Sequence, residues 1–360
     1  MLFRLCIVCA WIDRGGPDRN ALTYVAADSN MSLYTKHCFA YRNGSIVLRT
    51  STHRVRRAAV AALTATLAAM TAVLTAPAPA SAAYSSVAVY ASTVNGDAAD
   101  VYHPVTGSPH DPWPVVLLLQ GANVDKAQYS GYAAKVASYG FAVVVPNHFQ
   151  VLFGQPGLYA TGAQAGWTVT WAQAENVRAG SPLLGALDAN RLLLLGHSFG
   201  GAAALNLATG LCTPPFCAAP APAPPQLKAV ALYGANNTQP GTGTTPPVSN
   251  TVPVALVQGS ADGIGSPANG YATYQVVTSP PKLYASVLGA NHYGITDAQN
   301  PAGARPDLSP QTLAQAQSVE TAARWSAYWL RAQLGDPVGQ AWVYGFGDLV
   351  DATVTTEFAH

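Results

Sequence analysis

The sequence predicts an α/β protein: a mainly parallel, doubly wound sheet with helices on both faces. Short uninterrupted apolar runs recur between residues 114 and 289, as strands buried on both faces of a parallel sheet require. Helix-like stretches alternate with them, the pattern of strand–helix–strand crossovers. Glycine closes most of the runs.

Taken in order, residues 114–121 (PVVLLLQG) form the first buried strand. Residues 127–139 follow as a helix, stopped by Gly140, because glycine accepts the left-handed conformation that ends helices. Residues 141–146 (FAVVVP) are the next strand and 164–178 the next helix. Residues 191–196 (RLLLLG) form a strand, and Phe199–Thr209, rich in Ala and Leu, a helix. Residues 228–234, 252–259 and 282–289 supply three more strands. Ser309-Pro310 reads as a helix start, Ser as cap and Pro in the first turn, with the helix running to about Leu334. Two Pro/Gly-rich stretches, 213–225 and 239–253, fall between elements and read as surface insertions. The tail 336–360 carries no clear pattern.

About half of the 360 residues are hydrophobic and a tenth charged, so the chain can bury a large core. A net charge of +1 gives no electrostatic basis for a nucleic-acid partner. The charge is unevenly placed: residues 1–82 sum to +6 and residues 83–360 to −5. That split predicts a basic leader, 1–82, before a single α/β domain, 83–360. Arg54, Arg56 and Arg57 precede an uncharged, Ala-rich stretch at 58–75, and Ala80-Ser81-Ala82 fits the small-x-small site of a signal peptidase. The expectation is export, cleavage after Ala82 and no stable membrane insertion afterwards; an uncleaved anchor is the alternative. Residues 1–53 are long for a signal peptide, which suggests a translation start downstream of Met1.

Cys6, Cys9 and Cys38 lie in the leader, so the mature part keeps two cysteines, Cys212 and Cys217, in CTPPFC. In an oxidising compartment these are expected to close a small disulfide loop, with two free thiols as the alternative. No metal-ligand cluster, phosphate loop or dinucleotide fingerprint is present, and no cofactor is expected.

Gly196-His197-Ser198-Phe199-Gly200 matches G-x-S-x-G between a four-Leu strand and an Ala-rich helix. This is the strand–turn–helix setting in which a serine is exposed as a nucleophile on a strained turn. Serine needs a base at neutral pH, and the base needs an orienting carboxylate. In this setting the acid and then the histidine follow the serine in the chain. After Ser198 only His292 and the terminal His360 remain, which makes His292 the candidate base. Asp262 is the one acidic residue between Ser198 and His292, so it is the candidate acid. The Phe199 and Ala122 backbone N–H groups are the candidate oxyanion donors, by position alone. Tyr293, beside the candidate base, is expected to shape the acyl pocket. His197 is expected to pack beside the site. His148 is either a pocket-lining or a surface-loop residue.

The segments LLLQGANVDKAQYSGYAAKVASYGFAVVVPN, GHSFGG, LVQGSADG and LGANHYG resemble those of α/β-hydrolases, most closely the chlorophyllase, dienelactone-hydrolase and bacterial cutinase-type group. The resemblance implies an α/β-hydrolase fold and a serine ester hydrolase acting on a small-molecule or lipid-like ester. Polyester-degrading cutinases carry aromatic residues where this sequence has Ala122 and Ala235. Two other readings stay open: a non-catalytic binding protein on the same scaffold, and acyl transfer to an alcohol through the same residues. No oligomeric state is predicted.

Overall fold

The computed structural model describes residues 84–107, 110–152, 154–217, 222–239 and 241–360, and the backbone of three short strands nearer the N-terminus. The expected signal stretch 58–75, its arginines and the site after Ala82 lie outside the described residues, as do Cys6 and Cys38. The chain divides into two compact units, Met1–Ala78 and Pro79–His360. In the first, β1 (Val8–Cys9), β2 (Thr23–Ala27) and β3 (Leu33–His37) form an antiparallel sheet in that order.

The second unit opens with β4 (Val87–Val94) and β5 (Asp97–Pro104), an antiparallel hairpin. Its turn is Asn95-Gly96, both at positive φ (50° and 91°), the conformation that twists two strands into register. Next come β6 (Trp113–Leu119), a 3-10 turn at Lys126–Tyr129, α1 (Ser130–Ala137) and β7 (Ala142–Pro146). A small hairpin of β8 (Phe149–Leu152) and β9 (Gln155–Leu158) leads to α2 (Gln164–Glu175). Then follow β10 (Leu187–His197), α3 (Phe199–Thr209), β11 (Leu227–Tyr233), β12 (Val254–Gly259), α4 (Pro267–Val276) and β13 (Lys282–Val287). The chain ends with α5 (Gln315–Gln333), two short helices, α6 (Pro337–Ala341) and α7 (Gly347–Val350), and β14 (Val354–Ala359).

Nine strands make one sheet in the order β14-β13-β12-β11-β10-β6-β7-β5-β4. The six inner strands from β13 to β7 are parallel; β14 and β5 run opposite to them, and β4 pairs antiparallel with β5 at the edge. Parallel strands covered on both faces need apolar side chains on both, and β6 is buried along its whole length. Alternate residues divide between two cores. Val116, Leu118, Leu193 and Leu195 face α1 and α5; Val115, Leu117, Leu192 and Leu194 face α2 and α3. Trp329 on α5 is fully buried and donates its indole N–H to the Val230 carbonyl at 2.9 Å, anchoring that helix to the sheet. Trp325 and Tyr328 of the same helix are core residues as well.

The last long helix begins later than its local signal implies. Ser309-Pro310 lies in a loop, and α5 starts at Gln315. The intervening residues bond to the loop after β13 instead: Thr312 and Leu313 N–H groups donate to the Gly289 carbonyl, and Ser309 O accepts from Asn291 Nδ2. Tertiary bonds thus outcompete a local capping signal. The tail without clear pattern supplies α6, α7 and the edge strand β14.

Candidate active site

The segment GHSFGG joins β10 to α3 in a turn tight enough to force Ser198 to φ 51°, ψ −115°. A non-glycine residue holds such a conformation only where its surroundings over-determine it. The neighbouring glycines show how. A Cβ on Gly196 would sit 2.7 Å from Gly201 Cα. A Cβ on Gly200 would collide with the Leu119 and Gln120 carbonyls at the end of β6. Glycine therefore lets the start of α3 lie directly on the loop after β6. Ser198 N–H donates to the Tyr233 carbonyl at 2.9 Å, which ties the turn to the end of β11.

Asp262 and His292 arrive on the loops after β12 and β13. Both are buried, at 5 % and 2 % exposure. His292 Nδ1 lies 2.9 and 3.0 Å from the two Asp262 carboxylate oxygens. The carboxylate is itself held by Ile264 N–H (2.9 Å), Gly265 N–H (2.6 Å) and the Gln258 side-chain amide (2.9 Å). With its lone pairs so occupied, it accepts the imidazole N–H in one fixed direction. A Cβ on Gly234 would lie 2.9 Å from Asp262 and 3.0 Å from His292. Gly234 directly follows Tyr233, so the serine turn and the acid–base pair close on the same point.

The structure thus brings Asp262 and His292 into contact and sets Ser198 at the adjoining turn, partly exposed. The Ser198 hydroxyl hydrogen-bonds to no described residue, and neither does His292 Nε2. The Ala122 and Phe199 amides likewise donate to no acceptor among the described residues.

Four residues not singled out in the sequence organise the site. Asp307, 4 % exposed, accepts from His292 N–H at 2.9 Å and Gly263 N–H at 3.1 Å, so one carboxylate pins the base-bearing and acid-bearing loops together. Gln258 orients the acid. Tyr129 and Tyr233 act through their hydroxyls: Tyr233 donates to the Asn291 carbonyl at 2.7 Å, beside the histidine. Tyr129 accepts from Gly121 N–H at 2.8 Å and meets His197 Nδ1 at 2.8 Å. The other His197 nitrogen, Nε2, faces the His292 carbonyl at 2.9 Å, an acceptor only. Nε2 therefore carries the proton and Nδ1 accepts from Tyr129. Burial, reinforced by the nearby His292, lowers the His197 pKa to about 3, so the ring is neutral. His197 packs beside the site and links the loop after β6 to the base-bearing loop.

Two other residues have definite places. Tyr293, the candidate for shaping the acyl pocket, lies directly beside the candidate base. Only 3 % exposed, it packs edge-on against His292 and His197 and donates its hydroxyl to the Arg305 carbonyl. It backs the histidine from the core side, and burial raises its pKa to about 12. His148 bonds to Asp97 at 2.9 Å and lies beside Trp167, partly exposed, between the β4–β5 hairpin and α2. Cys212 and Cys217 are joined by a disulfide, with Cα atoms 5.4 Å apart. Among the described residues no group of three or more His, Cys, Asp or Glu is placed to hold a metal ion, and no helix is long and apolar enough to cross a membrane.

Residues 97–257 match the model of the Chlorophyllase family, a family within the α/β-hydrolase superfamily. The matched span runs from β5 through β12 and contains the Ser198 turn. No curated protein matches the chain. The family match and the nine-stranded sheet together give the α/β-hydrolase fold, and the family is one of ester hydrolases.

Proposed function

We propose that this α/β-hydrolase is a serine ester hydrolase working through Ser198, His292 and Asp262. The observation that carries it is the Asp262–His292 pair, bonded at 2.9 Å and set against a serine held at positive φ. In the proposed reaction His292 Nε2 takes the Ser198 proton as the serine oxygen attacks the ester carbonyl carbon. The oxyanion is held by the Phe199 and Ala122 N–H groups, and Asp262 stabilises the imidazolium that forms. Collapse breaks the carbon–oxygen bond to the alcohol, which leaves with the proton from His292. Water then gives its proton to His292 and attacks the acyl-serine; the carboxylic acid departs and Ser198 regains its proton. The open Ser198 hydroxyl is consistent with a hydrogen bond to His292 that tightens on substrate binding.

The substrate is a small-molecule or lipid-like ester, and the protein is exported by the leader 1–82 with cleavage after Ala82. Sequencing the exported protein tests that point: an N-terminus at Ala83 supports it and retention of the leader refutes it. The catalytic proposal is tested with p-nitrophenyl acetate. Ser198→Ala is expected to lower kcat by about 10^4-fold or more at an unchanged unfolding midpoint. A variant as active as the parent would remove Ser198 from the mechanism.

A further inference from the structure

The Cys212–Cys217 loop takes no part in the chemistry above, yet it returns to the nucleophile. α3 leads away from Ser198, and the chain then doubles back along it. Leu211 N–H donates to the Asn206 carbonyl at 3.1 Å, and Asn206 Nδ2 reaches the Thr213 carbonyl at 3.4 Å. Phe216 then lies with its ring 5.0 Å from that of Phe199, at 58°. The Tyr159 ring also lies against Phe199, 5.4 Å away, at 54°. Tyr159 follows β9, which is bonded to the loop after β6 through Asn123: its N–H donates to the Leu158 carbonyl at 2.8 Å, and its Oδ1 accepts from Leu158 N–H at 3.1 Å.

Three segments far apart in sequence thus deliver three rings to one row, Tyr159–Phe199–Phe216. Its middle member directly follows the nucleophile, and all three side chains are partly exposed. Aromatic surface left open in the core of no other element is what a site uses to take an apolar ligand group out of water. The disulfide closes the segment that carries the outermost ring, which limits the freedom that segment must lose to hold it in place.

We propose that this row is the binding wall for a large apolar group of the ester, and that Phe216, presented by the disulfide loop, sets how large a group is favoured. This rests on the ester-hydrolase reading above. An acetyl ester of a small alcohol ends close to Ser198 and gains little from Phe216, one ring further out. A longer or aromatic ester lies along the row.

The test compares Phe216→Ala, and independently Tyr159→Ala, with the parent protein. Two substrate pairs are used: p-nitrophenyl acetate and octanoate, which vary the acyl group, and ethyl and 2-naphthyl acetate, which vary the alcohol. In at least one pair, kcat/KM for the larger ester is expected to fall by about tenfold or more, mainly through KM. The smaller ester of that pair is expected to change by less than about twofold. Retained turnover of the small ester also shows that the variant is folded. Equal losses on both members of each pair, or no loss in either, would overturn the proposal. If the parent hydrolyses none of the four esters, the ester-hydrolase reading fails and this proposal falls with it; a parent that is active while its variants keep their preference defeats this proposal alone.

Discussion

At the scale of single residues, the site depends on keeping a histidine neutral. His197 is fully buried, and its Nε2 proton is committed to the His292 carbonyl. A second proton on Nδ1 would displace the Tyr129 hydroxyl from its acceptor and place a charge in the core beside the catalytic candidate. With a folded pKa of about 3 against an ordinary value of 6.5, the unfolded chain binds more protons across that interval. The residue's contribution to stability is therefore complete above about pH 6.5 and is lost progressively as the pH falls towards 3. Between pH 7 and pH 5 this costs roughly 2 kcal/mol of folding stability. Urea unfolding at the two pH values is expected to show that loss in the parent and a smaller one in His197→Asn. An equal pH dependence in both proteins would mean that His197 titrates normally. Ser198, Asp262 and His292 were each readable from a motif, chain order and a chain poor in charge. Tyr129, Gln258 and Asp307 were not, because each acts through atoms that only the folded chain brings within reach. The direction in which Tyr293 turns is not legible either, because adjacency to His292 in sequence does not say it.

At the scale of elements, the site is an agreement among loops at one end of the sheet. Loops are adaptable where they are not tied, so their ties decide whether the acid and base meet. Asp307 is the shared tie, accepting from the loop after β12 through Gly263 and from the loop after β13 through His292. In Asp307→Asn one oxygen becomes an N–H donor, which faces either those amides or the Ser309 N–H that now bonds to Asp307. The expected result is a fall in kcat by about 10- to 100-fold, because small displacements of reacting groups are costly, with KM little changed. Unchanged kcat would show that the two loops hold their positions without it. The same ties explain which elements were legible. The inner strands and α3 follow from local apolar pattern, and their bounds move by a few residues at most. The start of α5 does not, because residues 309–314 bond to Gly289 and Asn291 instead of to one another. β14 takes its backbone pairing from β13, a partner some 70 residues earlier that no local pattern reveals. The β4–β5 hairpin did carry a readable signal, Asn95-Gly96 between alternating residues.

At the scale of the whole molecule, one sheet with two apolar faces supports a polar site at the end of its inner strands. The two cores immobilise β6, β10, β11, β12 and β13, and the loops after four of them, β6, β10, β12 and β13, carry the candidate donors, nucleophile, acid and base. The strained serine turn is affordable because β10 lies at the centre of the sheet, between β6 and β11. The proposed chemistry requires Ser198 to be a nucleophile activated by His292. An active-site fluorophosphonate probe, followed by peptide mapping, tests this most directly. The expected result is one stoichiometric adduct on Ser198, formed at least about 100-fold more slowly in a folded His292→Ala variant. A folded parent left unmodified, or an adduct carried by another residue, would contradict it.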